Sequence, residues 1–272
     1  MIRIFAIIVL YNHNFFDTVI YKTVISKNLN NSRISFLVYD NSSTPQTQPN
    51  EISAIGGYYF HDEDNSGVSA AYNKGAELAA QIGDIDFLLL LDQDTLFEDD
   101  YLEKIQLAVI KNPNCNLFVP SIIYGKNQPF SPVKMSVRGV KGVNLEPGEY
   151  HLRDYSPVNS GACIKLSVFI KIGGYNLKIR LDFADFDFFS RLEKISPLYR
   201  LINSHAVQSF SNEETDKNKL LQRFAFFIEG SKYAFKNTLI RKYVVVSVLK
   251  HTLALTMRIK TFDFIRILIR SI

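Results

Sequence analysis

The stretch Leu88-Leu89-Leu90-Leu91-Asp92-Gln93-Asp94-Thr95 joins four consecutive leucines to two aspartates. A continuous apolar run of this kind predicts a central strand that is buried on both faces. The carboxyl end of such a strand lies at the sheet edge where open α/β folds bind their ligands. Two carboxylates that are separated by a single residue repel each other unless a cation lies between them. The stretch therefore predicts a divalent-metal site at Asp92 and Asp94, with an ordinary polar loop as the alternative.

Strand-like and helix-like patterns alternate along the first half of the chain, with short connections between them. This order predicts an α/β fold with a Rossmann-like, mostly parallel sheet flanked by helices. The region 120–158 holds most of the prolines and predicts a loop-rich insertion or an antiparallel flap. The predicted elements are strands at 2–10, 34–39, 57–61 and 87–91, helices at 15–29, 68–82, 99–111, 165–172 and 182–195, and a strand pair at 199–202 and 206–210.

Size and cysteine content bound the class of protein. With 272 residues, 47% of them hydrophobic, the chain fits one large domain or one domain with an appendage. Cys115 and Cys163 give neither a disulfide framework nor a metal-knuckle spacing, which fits a reducing cytosol. The apolar residues 4–10 are too short for a membrane span and lack a small-residue cleavage site. They therefore predict a first strand and not a signal peptide.

The C-terminal residues 217–272 differ in charge from the rest of the chain. They contain 12 of the 31 Lys and Arg residues but 2 of the 27 Asp and Glu residues, so a basic, helical tail follows an acidic body at 1–216. Basic and aromatic residues do not interleave as in nucleic-acid-binding modules, which argues against nucleic acid. Because no stretch reaches the roughly 18 apolar residues of a span, we expect the tail to lie on an anionic membrane face. A helix pair folded back on the body, or a dimer interface, is the alternative.

Acidic residues in two other segments are suited to binding a nucleotide and to catalysis. Asp40 ends the second predicted strand and can accept hydrogen bonds from a base or a ribose, although an Asx turn explains it equally well. Asp182, Asp185 and Asp187 lie among phenylalanines, and desolvation raises the pKa of a carboxylate toward the range of a general base. An amphipathic helix whose acids cap its start and pair with Arg191 is the alternative.

The segment before the alanine-rich helix at 68–82 is suited to binding an anion. Asn65 or Ser66 can cap this helix, and Gly67 lets a ligand approach the backbone closely. Helix N-termini attract anions through unpaired N–H groups and the macrodipole, and Asn73, two turns along, can face the same cleft. A tightly packed helix with no ligand is the alternative.

Taken in order along residues 3–235, these motifs resemble those of the family 2 glycosyltransferases of the GT-A fold. Among these, the bacterial rhamnosyltransferases of O-antigen and capsule assembly are the most similar. Any one motif is weak, but the ordered set is specific. The segments that carry the resemblance are 8–12 (Ile-Val-Leu-Tyr-Asn), 38–42 (Val-Tyr-Asp-Asn-Ser), 65–75 (Asn-x-Gly-x-x-x-Ala-x-Asn-x-Gly), 89–95 with the Asp-x-Asp, 159–161, 173–175 and 185–191.

The resemblance implies an inverting transferase that moves a sugar, L-rhamnose from dTDP-rhamnose as the best match, onto a lipid-linked oligosaccharide of a surface polysaccharide. It implies Mg²⁺ or Mn²⁺ held by Asp92 and Asp94, and Asp185 as the base for the acceptor hydroxyl. The enzyme is then expected in the cytoplasm, peripheral to the inner face of the cytoplasmic membrane, with homo-oligomers left open. The donor contacts implied are Tyr11, Asp40, Asn65, Gly67, Asn73 and Asp92.

The third metal ligand departs from the family pattern. The family usually carries a histidine in the strand after the helix that bears the base. Residues 203–211 can be aligned with that strand in two ways, one placing His205 at the ligand position and one, framed by Ser211, placing Gln208 there. His205 is the predicted ligand, and Gln208 is the alternative.

Other functions use similar features. Haloacid-dehalogenase-type phosphatases carry Asp-x-Asp-x-Thr after their first strand, but here Thr95 directly follows Asp94 and the strand is the fourth. A sugar-1-phosphate nucleotidyltransferase needs a glycine-rich, basic phosphate loop after strand one, which residues 11–14 do not supply. A transferase for another UDP or GDP sugar, and a non-catalytic sugar-nucleotide-binding protein, remain as alternatives.

Overall fold

The computed structural model describes residues 2–30, 34–125, 127–136, 139–208, 216–234, 236–237 and 240–271. The strands are β1 (Ile4–Leu10), β2 (Ile34–Asp40), β3 (Tyr58–His61), β4 (Phe87–Asp92), β5 (Thr95–Phe97), β6 (Leu117–Tyr124), β7 (Gln128–Ser131), β8 (Val133–Ser136), β9 (Gly139–Gly142), β10 (Gly148–His151), β11 (Cys163–Lys165) and β12 (Leu198–Gln208). The helices are α1 (Pro49–Ala54), α2 (Val68–Ile82), α3 (Tyr101–Lys111), α4 (Leu166–Lys171), α5 (Ala184–Leu192), α6 (Lys217–Ala234), α7 (Arg241–Ile259) and α8 (Asp263–Ser271).

In the described part of the chain, ten strands form one sheet whose main order is β10-β12-β6-β11-β4-β1-β2-β3. The four strands β3, β2, β1 and β4 are parallel, as are β12 and β6, whereas β11 runs antiparallel between β4 and β6. The predicted α/β class with a mostly parallel sheet is confirmed. The flap predicted for 120–158 consists of β7 against β6, the separate hairpin β8–β9, and the edge strand β10.

The leucines of β4 are buried on both faces of the sheet, as predicted. Leu88 and Leu90 pack in one hydrophobic cluster, while Leu89 and Leu91 pack in another. All four are completely buried, because successive side chains of a strand point to opposite faces and helices cover both. This strand therefore determines where Asp92 and Asp94 lie at the edge of the sheet.

The segment 15–29 does not form the regular helix that its pattern predicts. It contains a 3-10 turn at Phe15–Asp17, a π-helical turn at Tyr21–Ile25 and a second 3-10 turn at Ser26–Asn28. The hydroxyl of Thr18 donates to the Phe15 carbonyl and accepts from the backbone N–H of Tyr21. Such local bonds, together with a run of β-branched residues, compete with a regular helix.

The predicted strand pair at 199–202 and 206–210 is a single strand, β12, with a register shift between Leu201 and His205. The polar residues between the two predicted strands resemble a turn in the sequence. In the fold, Ser204 Oγ and the His205 N–H both donate to Oε2 of Glu98, at 2.7 and 3.2 Å, which keeps the chain in the sheet. Residues 209 and 210 of the predicted second strand lie outside the described residues.

The C-terminal helices α6, α7 and α8 pack against the body of the protein. Phe224 and Phe264 belong to the same hydrophobic cluster as Phe188 of α5, and Lys217 Nζ lies 2.6 Å from Asp263 Oδ2, which joins α6 to α8. Among the described residues, no helix combines the length and the apolar character that a membrane crossing needs. The inner face of the tail therefore folds back on the body, which is one of the alternatives that the sequence left open.

Candidate active site

Three parallel strands bring their carboxyl ends to one edge of the sheet. Asp92 of β4 pairs with Val9 of β1, and the other neighbour of β1 is β2, which ends at Asp40. Gln93 joins the loop after β4 to the loop after β1. Its Oε1 accepts from the Tyr11 N–H at 2.7 Å, and its Nε2 lies 3.2 Å from the Tyr11 carbonyl. The half-exposed Tyr11 is thereby held beside the Asp-x-Asp.

Both aspartates of the Asp-x-Asp are in environments that disfavour two free negative charges. Burial, followed by the charge of Asp94, raises the pKa of Asp92 to about 6, although Tyr72 Oη lies 3.2 Å away as a hydrogen-bond donor. Burial also raises the pKa of Asp94, against the hydrogen bond from Gln208 and the charge of His13. A pair of carboxylates that is desolvated and mutually repulsive is stabilised by a bound cation.

Gln208, at the end of β12, lies directly beside the Asp-x-Asp. Its Nε2 donates to Oδ1 of Asp94 at 2.8 Å, and its Oε1 accepts from Thr95 Oγ1 at 2.5 Å. Thr95 Oγ1 is also 2.7 Å from Ser160 Oγ, whose hydrogen bond lowers the pKa of Asp92. One network of side chains thus extends from Asp94 to Asp92.

His205 is not brought to the two aspartates. It is separated from Gln208 by an odd number of positions in β12, so the two side chains point to opposite faces of the strand. The largely exposed His205 ring places Nδ1 3.9 Å from Oε1 of Glu98. Of the two alignments, the geometry favours the one with Gln208 beside Asp94; Ser211, which frames that alignment, lies outside the described residues.

The chemistry of this edge fits a hard divalent cation. In the ranges that the structure describes, no group of three or more His, Cys, Asp and Glu side chains could hold a metal. The available donors are the carboxylates of Asp92 and Asp94 and the amide of Gln208, all of which can offer oxygen. Such donors suit Mg²⁺ or Mn²⁺ better than Zn²⁺, and Mg²⁺ commonly takes other ligands from substrate phosphates.

The carboxylate of Asp40 is completely buried and is engaged within the protein. Oδ1 accepts from the N–H and the hydroxyl of Ser42, at 2.9 and 2.5 Å, and Oδ2 accepts from Tyr59 Oη at 2.7 Å. The bond to the Ser42 N–H is the Asx turn that the sequence left open. The Gln46 N–H also donates to Oδ2, at 3.3 Å, so all of the about four lone-pair sites of this carboxylate are engaged within the protein. Its contact with a nucleotide base stays a prediction.

The start of α2 packs against the protein backbone. The N-cap is Gly67, with φ +87°, and neither Asn65 nor Ser66 caps the helix as expected. The Val68 N–H donates to the Arg180 carbonyl at 2.8 Å, and a Cβ on Gly67 would lie 2.2 Å from that oxygen. Gly67 therefore allows the segment before α5 to approach α2 closely.

Asn73 is directed to the same neighbouring segment. Its Nδ2 donates to the Tyr175 carbonyl at 2.9 Å, and its Oδ1 accepts from the Tyr175 N–H at 2.8 Å. The neighbouring residue Lys74 forms an ion pair with Glu77, with Nζ 3.0 Å from Oε2. The structure therefore gives Asn73 a part in positioning Tyr175, in place of the expected position facing the donor cleft.

Asp185 lies in the first turn of α5 and is electrostatically coupled to Asp92. Burial is the main cause that raises the pKa of Asp185 to about 7; the charges of Asp182 and Asp92 add to it, and the Phe186 N–H, at 2.8 Å, opposes it. The sequence predicted this desolvated carboxylate. Its pKa is in the range that suits a general base near neutral pH.

The other two acids of this segment have different surroundings. Asp187 is buried and pairs with Arg191 through Oδ2 and Nε at 2.9 Å, as the helix-pairing alternative expects. Burial raises the pKa of Asp182, while the charges of Arg223 and His251, from the C-terminal helices, lower it. Asp187 is thus paired within its helix and also accepts a hydrogen bond from Asn237 Nδ2 at 3.4 Å, and Asp182 interacts with the C-terminal helices.

Two tyrosines of the resemblance segments 65–75 and 173–175, to which the sequence assigned no role of their own, lie near both the Asp-x-Asp and the predicted base. Tyr72 and Tyr175 have ring centroids 5.1 Å apart; burial is the main cause that raises the pKa of each phenol, and the charges of Asp92 and Asp185 add to it. Their place in those segments is a signal, but only the packing shows that the two rings lie together where the charges of both acids reach them.

Comparison with known proteins decides the family. The model of the family described as "Glycosyl transferase family 2" matches residues 6–168. The chain belongs to glycosyl transferase family 2. Its sheet and flanking helices are those of the GT-A type, so the expected fold is confirmed. The match includes Asp40, Asp92 and Asp94, whereas Asp185 and Gln208 of this glycosyltransferase lie beyond it.

Solved structures agree with this glycosyltransferase fold. A crystal structure of S. aureus TarS 1-349 in complex with UDP superposes with a TM-score of 0.57 at 12% identity, covering 98% of this chain and 81% of that chain. A second structure of S. aureus TarS gives a TM-score of 0.54 at 11% identity, covering 95% of this chain and 45% of that chain. At such identities the likeness shows a shared fold. No curated protein matches the glycosyltransferase significantly.

Proposed function

We propose that this glycosyltransferase inverts the configuration of a sugar that it transfers from a nucleoside diphosphate to a lipid-linked oligosaccharide of a surface polysaccharide. The form of the Asp-x-Asp segment favours L-rhamnose from dTDP-rhamnose as the donor. Family membership supports the sugar transfer. The UDP bound to the structurally similar TarS supports a nucleotide donor. A donor with another UDP or GDP sugar is the alternative.

The arrangement of Asp92 and Asp185 about the rings of Tyr72 and Tyr175 carries the proposal. It places the acid proposed to bind the cation and the desolvated acid proposed as the base near one tyrosine pair, with Asp92 in hydrogen-bond contact with Tyr72 and the charge of Asp185 acting on both phenols. A direct displacement needs these two groups at opposite ends of the reacting bond, because one assists the leaving group and the other accepts a proton.

In the proposed reaction, Asp185 takes the proton of the acceptor hydroxyl. The hydroxyl oxygen bonds to the anomeric carbon as the bond from that carbon to the diphosphate breaks on the opposite face. The configuration at the carbon inverts, and the nucleoside diphosphate leaves with the electron pair. A base with a pKa of about 7 is deprotonated in a useful fraction near neutral pH and is a stronger proton acceptor than an exposed aspartate.

Asp92, Asp94 and Gln208 are the residues that would hold Mg²⁺ or Mn²⁺ in this proposal. The cation supplies positive charge for the diphosphate as negative charge develops on it. Tyr11 is proposed to contact the donor from its half-exposed position beside Gln93, and Asp40 from the end of β2. Asn65, at the turn before α2, completes the proposed donor side, whereas Gly67 is covered by the Arg180 carbonyl.

The outer face of α7 supports docking on the cytoplasmic membrane face, where a lipid-linked acceptor is presented. Val245, Leu249, Leu253 and Met257 follow one another at four-residue spacing, and each is exposed. Residues of one helix at this spacing form a continuous stripe. The same helix carries Arg241, Lys242, Lys250 and Arg258 and no acidic residue, so its net charge favours an anionic surface.

Binding and transfer by the full chain test the proposal. With Mg²⁺ present, the donor nucleotide should stabilise the fold by about 2.7 kcal/mol at a concentration one hundred times Kd. Asp94→Asn should abolish the part of this stabilisation that depends on the cation, whereas Asp84→Asn, a surface control, should keep it. NMR of the product should show an inverted anomeric carbon. Retained configuration, or no stabilisation by dTDP, UDP or GDP nucleotides, contradicts the proposal.

A further inference from the structure

The residue two positions before Asp185 has an unusual backbone conformation. Phe183, the N-cap of α5, has φ +71° and ψ −4°, which is the left-handed region. A bulky side chain disfavours this conformation, and it persists only where the surrounding structure holds it. Because Phe183 precedes the first turn of α5, its conformation sets the direction in which Asp185 leaves the backbone.

Aromatic rings from the C-terminal helices hold Phe183. Phe227 of α6 lies with its ring centroid 4.9 Å from that of Phe183, and Tyr243 of α7 lies 6.0 Å from it. Tyr243 also packs edge-on against Phe186 at 5.1 Å. One tyrosine of the tail therefore contacts the aromatic residues on both sides of Asp185.

Other contacts of α6 follow the same segment. The Arg180 guanidinium lies 5.1 Å from the ring centroid of Phe226, and a Cβ on Gly230 would approach the Asp182 carbonyl to 3.4 Å. The opposite side of the segment is bonded to α2 through the Arg180 carbonyl. The backbone before Asp185 is thus enclosed between α2 and the C-terminal helices.

We propose that Tyr243, supported by Phe227, is a positioning residue that maintains the left-handed conformation of Phe183 and thereby aims the Asp185 carboxylate at the acceptor. The proposal rests on the proposed role of Asp185 as the base. In this proposal the C-terminal helices line the active site in addition to carrying the membrane-docking surface. Helix α7 then has two faces, with Tyr243 directed inward and the Val245–Met257 stripe directed outward.

Three variants of the full chain test the role of the Tyr243 ring. Tyr243→Ala should lower kcat for transfer on the order of 10²-fold, because small displacements of a catalytic group have effects of this size. Its donor KM and its stabilisation by nucleotide should stay at the wild-type values. Tyr243→Phe keeps the ring and should restore kcat. Tyr233→Ala is the control, since the Tyr233 ring of α6 lies 5.2 Å from Lys178 Nζ, whereas the tail rings that contact Phe183 and Phe186 are those of Phe227 and Tyr243.

Unchanged kcat in Tyr243→Ala overturns the proposal, and so does an equal loss in Tyr233→Ala. Amide hydrogen exchange of residues 183–187 gives a measurement that does not depend on turnover. Exchange should be faster in Tyr243→Ala than in the wild type, and equal exchange also overturns the proposal. A wild-type enzyme without transfer, or a fully active Asp185→Asn, contradicts the proposed function instead, and the exchange measurement still tests the positioning.

A double-mutant cycle tests whether Tyr243 acts through the Phe183 backbone. Glycine adopts the left-handed conformation without steric cost, so Phe183→Gly no longer needs the rings for this purpose. Tyr243→Ala should therefore cause a smaller loss of kcat in the Phe183→Gly background than in the wild type. An equal loss in both backgrounds contradicts the mechanism.

Discussion

Gln208 donates a hydrogen bond from its Nε2 to Oδ1 of Asp94 over 2.8 Å, although the two residues are more than a hundred positions apart. The other end of the amide accepts from Thr95, whose hydroxyl can rotate to donate or to accept. Rotation of the amide by a half-turn would bring its oxygen to Asp94 and leave its nitrogen bonded to Thr95. Gln208 can thus donate a hydrogen bond to Asp94 when no cation is bound, and offer its oxygen to a cation when one is bound.

Substitution of Gln208 is expected to change the metal preference. Gln208→Ala should weaken the Mg²⁺-dependent stabilisation of the protein by a nucleoside diphosphate. Gln208→His should favour Mn²⁺ over Mg²⁺, because imidazole suits transition metals better than it suits Mg²⁺. Thermal unfolding with each ion measures both effects. His205→Ala is the matched control on the opposite face of β12; if it has the larger effect, the assignment of Gln208 is wrong.

Removal of the base is expected to separate chemistry from binding. Asp185→Asn should lower kcat about 10²–10⁴-fold and leave nucleotide binding intact. Asp187→Asn should mainly destabilise α5, because it removes the partner of Arg191. If Asp187→Asn loses turnover at unchanged stability and Asp185→Asn does not, the base is Asp187.

The pH dependence follows from the raised pKa of Asp185. Transfer by the wild type should increase as pH rises through about 7, because the base must be deprotonated. Since the folded-state pKa lies above that of the unfolded chain, ionisation of Asp185 lowers the stability of the fold between about pH 4 and pH 7. The free energy of unfolding of Asp185→Asn, taken relative to that of the wild type, should therefore be higher at pH 8 than at pH 5. A constant difference across this range would count against the assignment.

The contact between Gly67 and Arg180 is expected to make Gly67 intolerant of a side chain. Gly67→Ala places a Cβ 2.2 Å from the Arg180 carbonyl and should destabilise the fold by more than the roughly 1–3 kcal/mol that a side chain costs in this glycine-favouring backbone region. Gly83→Ala, at the other end of α2, has φ +72° and no atom within 4 Å of its Cβ. Denaturant unfolding of the two variants therefore isolates the clash, and equal losses would refute it.

Membrane docking is expected to depend on the outer stripe of α7. The double variant Leu249→Glu and Leu253→Glu should abolish flotation with anionic vesicles, since both side chains are exposed and the inner packing is retained. Leu107→Glu, at an equally exposed leucine of α3, should float like the wild type. Should the full-length protein ignore such vesicles at low salt, the stripe is an interface with another protein copy. Sedimentation of the same variants measures that outcome.

The sequence predicted those parts of the fold that depend on local pattern. The alanine-rich stretch gave α2 with its observed ends, Val68–Ile82, and the leucine run gave the buried β4. The Asp-x-Asp and the desolvated Asp185 were also found, because they directly follow or lie within apolar runs. The segment 15–29 was not, because hydroxyl groups within it bond to its own backbone.

Properties that depend on contacts between distant segments could not be predicted. Which of His205 and Gln208 lies beside Asp94 is set by the register of β12 against β5, which pairs Gln208 with Thr95, and this register is not encoded near either residue. Asn73 was expected to face the ligand, but its amide matches the backbone of Tyr175. The contact of Tyr243 with the residues around Asp185 likewise follows only from the packing of α7.

The position of β12 and α7 late in the chain has a consequence for synthesis in the cell. Asp92 and Asp94 are translated early, but β12 adds Gln208 to them only after most of the body has left the ribosome, and α7 with Tyr243 follows later still. Domains generally fold as units, and here the late elements pack into the same core as the early ones. A growing or prematurely ended chain thus lacks Gln208 beside Asp94 and the ring contacts of Tyr243, so on the proposed mechanism full transfer activity is expected only after translation has passed α7.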